Sequence, residues 1–163
     1  MTKGMPTIRD EIDRELDDAM NRTMQAIIYK LQAIGERCVN EARNLPSLSR
    51  ESPDASKPHQ PHYIDDTGNL RSSIGYVLIV DGQIVSESSF DVVGKGRQGR
   101  DAGKSFAESL VSNYPTGIAL VVVAGMNYAE YVAAKGYDVL DSAELLAERL
   151  VQKLSDELQQ QVQ

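Results

Sequence analysis

The spacing of apolar residues predicts one long amphipathic helix at the start of the chain. Between Thr7 and about Arg43, apolar or small side chains recur every three or four residues, which is the period of an α-helix. Thr7 is a suitable N-cap, and acidic residues occupy the first turns, where the helix dipole favours them. The positions on this stripe are Ile8, Ile12, Leu16, Met20, Thr23, Ile27, Leu31, Ile34, Cys38 and Ala42.

The predicted length of this helix raises the question of what it packs against. A straight helix over residues 7–43 is about 55 Å long, whereas a compact domain of 163 residues is about 40 Å across. Either the helix bends, with Gly35 as the weakest point, or one end extends past its own domain and packs on another subunit. We favour intersubunit packing for at least part of its length.

Residues 44–66 predict a loop, because they contain four prolines among polar residues and few apolar ones. Loops of this length are uncommon in compact domains unless they are functional or disordered. We therefore expect the loop to become ordered when the protein assembles with a partner.

The rest of the chain, residues 67–163, predicts a sheet with further helices. Leu70 and Ile74 fit a short helix, and Asp81-Gly82 joins two strand-like runs, which is a strong signal for a β-hairpin. A Gly-rich loop over 94–103 and a short helix over 104–113 follow the hairpin.

The uninterrupted apolar run at 118–124 predicts a buried strand in the centre of the sheet. Residues 128–132 fit a short strand or turn, and residues 137–140 fit another short extended piece. Asp141 and Glu144 form a capping box that opens a C-terminal helix reaching about Gln160. The pattern thus predicts a single α+β domain, with helices on a mainly antiparallel sheet of about four strands.

Charge and composition exclude several classes of protein. The formal net charge is −7, which argues against binding that depends on neutralising phosphates. Residues 1–6 lack the apolar core of a signal peptide, and no apolar run is long enough to span a membrane. The single cysteine, Cys38, forms no internal disulfide and lies on the apolar stripe, which predicts a buried, inert thiol.

Two glycine motifs imitate nucleotide-binding loops without meeting their requirements. Residues 94–99 fit G-x-G-x-x-G, but the strand before them belongs to a hairpin and not to a βαβ unit. Gly103-Lys104-Ser105 resembles the end of a phosphate-binding loop, yet Gln98 stands where that loop needs glycine. We therefore expect no cofactor and no catalytic residue.

Other polar clusters have simpler interpretations than a chemical site. His59 and His62, with Asp65 and Asp66 nearby, supply metal-ligand atoms but lack the rigid geometry of a zinc site, so no metal is expected. A local basic cluster indicates a solvated loop, a contact with an acidic subunit or a surface that faces DNA. Its members are Lys95, Arg97, Arg100 and Lys104.

Two blocks of sequence give the chain a family resemblance. The first is D-T-G-N-L-R-S-S-I over residues 66–74, in which Asp66 or Thr67 is the expected cap and Leu70 and Ile74 are the expected apolar anchors. The second is N-Y-A-E-Y-V over residues 127–132, followed by Gly136. Together they resemble the small head-tail joining and tail-completion proteins of long-tailed bacteriophages, and the similarity covers residues 66–150.

The resemblance implies a structural virion protein without enzymatic activity, made in the host cytoplasm. Such proteins form rings, commonly hexameric, which join the tail tube to the capsid connector and let DNA pass through an acidic channel. The partners implied are further copies of this chain, connector and tail-tube proteins, and DNA without sequence recognition. The residues expected to form the docking turn and the subunit contact are Thr67, Gly68, Leu70, Ile74, Tyr128, Ala129, Tyr131 and Gly136.

Two other classes remain open. One is an adaptor whose first helix binds a partner helix without forming a ring. The other is an enzyme with nucleotide or metal chemistry, for which the motifs above give little support.

Overall fold

The elements of the computed structural model follow the order expected for an α+β protein. The structure describes residues 7–45 and 65–161. His59, His62 and the greater part of the predicted loop lie outside these residues. The helices and strands are α1 (Ile8–Arg43), α2 (Asn69–Ser72), β1 (Ile74–Val80), β2 (Gln83–Glu87), α3 (Arg97–Ser109), β3 (Ile118–Ala124), α4 (Ala129–Ala134) and α5 (Asp141–Gln161), with one 3-10 turn at Val111–Asn113.

The long first helix is confirmed, and it is capped as the sequence predicts. The Thr7 hydroxyl accepts a bond from the Asp10 amide at 3.3 Å, and the Asp10 carboxylate accepts one from the Thr7 amide at 2.8 Å. The Thr7 hydroxyl also donates to the Asp10 carboxylate at 2.7 Å, and this bond, together with that from the Thr7 amide, lowers the pKa of Asp10. Gly35, the residue at which a bend was the alternative to an overhang, lies within an unbroken α-helix. A side chain at Gly35 would lie 2.8 Å from the ring of Tyr76, so glycine here permits close packing.

The sheet has three strands among the described residues, in the order β2-β1-β3, and both pairings are antiparallel. The hairpin at Asp81-Gly82 is confirmed, and both residues have positive φ, 49° and 77°. The fourth strand is absent from the described residues because residues 129–134 form α4. The central position of β3 is also wrong, since β3 is an edge strand and β1 is central.

The sheet lies between two helical layers, which explains why an edge strand is apolar throughout. Leu120 and Val122 face a core that α1 and α5 cover. Val121 and Val123 face the opposite core, which includes Ala107 of α3. Alternate residues of β3 therefore pack against helices on the two faces of the sheet. A strand in this position needs apolar residues throughout, whether it is central or at the edge.

The α3 helix begins earlier than predicted. It spans Arg97–Ser109 and therefore includes much of the segment expected to be a Gly-rich loop. Three of its glycine or alanine positions, Gly99, Gly103 and Ala107, are buried and follow one side of the helix. Because these residues have little or no side chain, the backbone of α3 can lie close to the rest of the protein on this side.

The cap of α5 differs from the predicted one, and the difference can be tested. Asp138 accepts a hydrogen bond from the Ser142 amide at 3.2 Å and another from its hydroxyl, whereas Asp141 is the first residue of the helix itself.

Replacing a capping aspartate by alanine typically costs about 1 kcal/mol. We expect Asp138→Ala to reduce the free energy of unfolding by that amount and Asp141→Ala to change it by less than about 0.5 kcal/mol. Chemical denaturation of both variants measures this, and the reverse ranking would contradict the assignment.

Candidate functional site

Residues 65–74, which we call the junction, connect most of the elements around one end of the sheet. The turn is capped by Asp65, whose carboxylate accepts bonds from the amides of Leu70 at 3.3 Å and Arg71 at 3.0 Å. Thr67 is exposed, and its hydroxyl accepts a bond from the Asn69 amide at 3.3 Å. The expected cap was Asp66 or Thr67; in the structure Asp65 accepts two amides of the turn and Thr67 accepts one.

Three polar side chains of the junction hold neighbouring backbone segments in place. The Ser72 hydroxyl accepts a bond from the Val93 amide at 2.8 Å, and the side-chain oxygen Oδ1 of Asn69 accepts one from the Gly99 amide at 3.0 Å. The Ser73 hydroxyl donates to the Leu70 carbonyl at 2.7 Å. These side chains satisfy backbone groups that the loops around the sheet leave without regular partners.

The α3 helix packs against the junction almost backbone to backbone. A side chain at Gly99 would lie 1.9 Å from the Asn69 carbonyl oxygen, and one at Gly103 would lie 2.4 Å from the Ser73 carbonyl oxygen. Gly68 has a φ of 77°, and a side chain there would meet the Val93 carbonyl at 2.0 Å. Glycines that imitate a nucleotide-binding loop thus serve close packing, and the space beside them is filled by protein.

The two sequence blocks of the family resemblance meet in space. Leu70 of the junction and Ala129 of α4 share a small core cluster with Val139, while Ile74 lies in the main core. Gly136 follows α4 with a φ of 83°, so it ends the helix in a conformation that favours glycine. Some sixty residues of sequence separate Leu70 and Ala129, and no periodic pattern in the chain predicted their contact.

Tyrosines surround the exposed side of α4. Tyr131 is 62% exposed, and the ammonium group of Lys135 lies 4.5 Å from its ring centre. Tyr128 and Tyr137 are also exposed. Because tyrosine combines a large apolar body with a polar tip, it is enriched in protein interfaces. The composition of this surface is therefore one that is common in protein interfaces.

The first fourteen residues of α1, residues 8–21, form an exposed segment that we call the overhang. Four of its apolar side chains, Ile8, Ile12, Leu16 and Met20, are between 58% and 77% exposed. They continue an eleven-residue repeat along α1, because Ile12, Thr23 and Ile34 are in phase, as are Leu16, Ile27 and Cys38. The same side of α1 is thus buried in its second half and uncovered in its first.

The C-terminal end of α5 lies beside the point where the overhang joins the rest of α1. Lys30 of α1 and Glu157 near the end of α5 are 2.6 Å apart, and their interaction lowers the pKa of Glu157. Leu158 lines a shallow depression together with Thr23 and Ile27. At 1.5 Å per residue, residues 8–21 extend about 20 Å beyond this point. The apolar stripe therefore extends past the helix that covers its second half.

The four basic residues predicted as a cluster lie in or directly before α3, and we call residues 95–104 the basic segment. Lys104 pairs with Glu87 at 2.9 Å, which raises the pKa of Lys104, and Arg100 pairs with Asp101 at 2.8 Å. Lys95 and Arg97 are exposed and have no ion-pair partner among the described residues. The segment carries a formal charge of +3 within an acidic chain.

The outer edge of β3 is a further exposed surface. Within residues 7–45 and 65–161, β3 pairs with β1 alone, and it contains no charged residue or proline to protect its other edge. A groove of about 320 Å³ lies beside it, lined by Leu120, Val122, Leu140 and Ala143 among others. Such an edge offers backbone hydrogen-bonding groups and apolar side chains together.

Potential metal ligands are dispersed in the part of the chain that is described. No group of three or more potential metal ligands occurs there. Cys38 is fully buried, as predicted, and its burial raises the pKa of the thiol. Among the described helices, none is sufficiently long and apolar to cross a bilayer.

The surfaces described above are suited to contacts between macromolecules. They comprise an exposed amphipathic helix, a patch of tyrosines, a basic segment and an open strand edge. Comparison with protein-family models, with curated proteins and with solved structures gave no match.

Proposed function

We propose that this protein is a structural subunit of a tailed bacteriophage particle, which forms a ring at the neck or tail end and completes the tail or joins it to the head connector. The observation that carries the proposal is the overhang, whose apolar side chains are exposed over about 20 Å of helix. Soluble monomers rarely expose a continuous apolar stripe, and such stripes mark interaction sites. A subunit that functions inside an assembly requires a surface of this kind.

The family resemblance of the sequence is the reason for proposing that the assembly is the neck or tail end of a phage. The blocks at 66–74 and 127–136 are similar to those of head-tail joining and tail-completion proteins, and they lie together around Leu70 and Ala129. In the ring, copies of this chain contact each other and the connector and tail-tube proteins. DNA passes through the centre, where an acidic protein attracts it little.

A genetic experiment tests this function. Removing the gene from a phage genome that encodes the chain should yield heads and tails that fail to join or tails that remain incomplete, as seen by electron microscopy. Supplying the protein from a plasmid should restore normal particles. Particles of normal form and infectivity made without the chain would contradict the proposal.

The overhang also supports a second candidate, an adaptor that binds a partner helix without forming a ring. Deleting residues 7–43 does not separate the two functions, because Leu31, Ile34 and Cys38 of α1 belong to the core. Deleting residues 8–21 removes only exposed residues and should leave a folded protein. An adaptor would remain monomeric when saturated with its partner, whereas a ring subunit would assemble with copies of itself.

A further inference from the structure

We infer that the overhang of one copy docks on the basic segment of the next copy, so that subunits associate head to tail. This inference rests on the proposed function and specifies its subunit contact. Four observations carry it: the charges of the two surfaces, their positions at opposite ends of the protein, their separation by the sheet, and exposed apolar side chains at both.

The charges of the two surfaces are complementary. The overhang contains six acidic residues and two arginines, a formal charge of −4, and the basic segment carries +3. Asp13 and Asp17 lie four residues apart and therefore on the same side of the helix, next to the apolar stripe. Two overhangs would repel each other at this charge, so pairing of α1 with α1 of another copy is disfavoured.

The two surfaces lie at opposite ends of the protein. Arg43, the last residue of α1, donates a hydrogen bond to the carbonyl of Asp91, which lies four residues before the basic segment. The overhang begins at the other end of this 36-residue helix, about 50 Å away. A contact between them across copies is therefore a head-to-tail contact, which produces a ring when the rotation closes.

The sheet separates the two surfaces within one copy. The helix α1 packs with α5 on one face, in the core that includes Tyr76 and Leu78. The helix α3 covers the other face, in the core that includes Val77 and Ile79. Since α1 is a continuous helix anchored in its core by Leu31 and Ile34, the overhang cannot fold back onto its own basic segment. A contact between these two surfaces therefore joins two copies of the chain.

Apolar side chains accompany the charges at both surfaces. Near the basic segment, Val92 is 40% exposed and Phe106 is 44% exposed. Ile12 and Leu16 of the overhang are suitable partners for them. The contact then combines apolar burial, which supplies affinity, with opposite charges around it, which fix orientation and exclude incorrect pairings.

Charge reversal with rescue tests the contact. The variants are Lys95→Glu/Arg97→Glu, Asp13→Lys/Asp17→Lys, and the chain that carries all four substitutions. We expect each pair alone to weaken self-association of the full chain by about tenfold, because like charges then face each other at these positions. The combination places opposite charges there again and should recover part of the association, since the overhang and the basic segment as a whole then carry formal charges of 0 and −1. Arg149→Glu/Lys153→Glu on exposed positions of α5 is the control that matches the change in charge of the Lys95→Glu/Arg97→Glu variant.

Sedimentation equilibrium at low and high salt measures the association constants, and thermal unfolding confirms that each variant is folded. Rescue by the combined chain, with weaker association of the unmodified chain at high salt, supports the contact. Charge reversals that weaken association no more than the control does would overturn this contact. If the chain still self-associates in that case, the ring proposal is unaffected. A chain that remains monomeric at every concentration also overturns this contact, and the gene-removal experiment then decides the proposed function separately.

Discussion

Gly103→Ala should destabilise the protein by about 3 kcal/mol, although alanine is the better helix former. Gly103 lies in the middle of α3, where replacing glycine by alanine normally gains about 1 kcal/mol. Here the new side chain would lie 2.4 Å from the Ser73 carbonyl oxygen, and Gly125 is so near that a side chain on it would meet the Gly103 Cα at 2.5 Å. Because both neighbours are backbone, α3 must move away from the junction, and this cost exceeds the gain in propensity.

Thermal unfolding measures the effect, which corresponds to a loss of about 6–12 °C in Tm. The control is Ser105→Ala, two residues along the same helix and exposed, which should leave Tm unchanged or slightly raised. A Gly103→Ala protein as stable as the unmodified chain would show that α3 does not depend on close contact with the junction. The glycines of the phosphate-loop-like motif would then need another explanation.

The second large effect concerns assembly and not stability. Ile12→Ser/Leu16→Ser should weaken association with neighbouring subunits by about 100-fold or more, because each side chain contributes about 1.5–3 kcal/mol when it is buried. Both residues are more than half exposed in the isolated chain, so Tm should change little. An effect on assembly without an effect on folding is characteristic of an interface.

The matched control for this pair is Asn21→Ser/Gln25→Ser. These residues are also exposed and lie on the opposite side of α1 from the stripe. Sedimentation velocity of the three proteins, together with their incorporation into particles, measures the difference. Equal assembly by both double variants would remove the overhang from the subunit contact and with it the main support for the ring.

The parts of the fold that the sequence predicted are those specified by local interactions. The start of α1 was predicted because Thr7 and Asp10 cap each other within one turn. The hairpin was predicted because Asp81 and Gly82 both tolerate positive φ. Each signal involves residues close in sequence, so no knowledge of tertiary contacts was needed.

The predictions that failed required information about distant contacts. The apolar run of β3 indicated burial on both faces, which helices on either side of an edge strand also provide. Gly99 and Gly103 indicated a loop, because the carbonyls of residues 69 and 73 that require them are some thirty residues away in sequence. Asp138 caps α5 in place of the predicted Asp141, because the path of the chain before the helix brings the Asp138 carboxylate to the Ser142 amide.

The candidate site was predictable in its residues but not in its arrangement. The sequence indicated the block at 66–74, the tyrosines after residue 127 and the basic segment. It did not indicate that Leu70 meets Ala129, or that the overhang and the basic segment occupy opposite ends of the protein. Those relations depend on the path of the chain through the sheet, which periodicity does not specify.

The central claim is that this chain is a permanent structural component of a tailed phage particle. Quantitative mass spectrometry of purified particles, from a phage that encodes the chain, tests it most directly. The account predicts that the chain is present after stringent purification, in the copy number of a single ring relative to the connector protein. Its absence from purified, infectious particles would contradict the account.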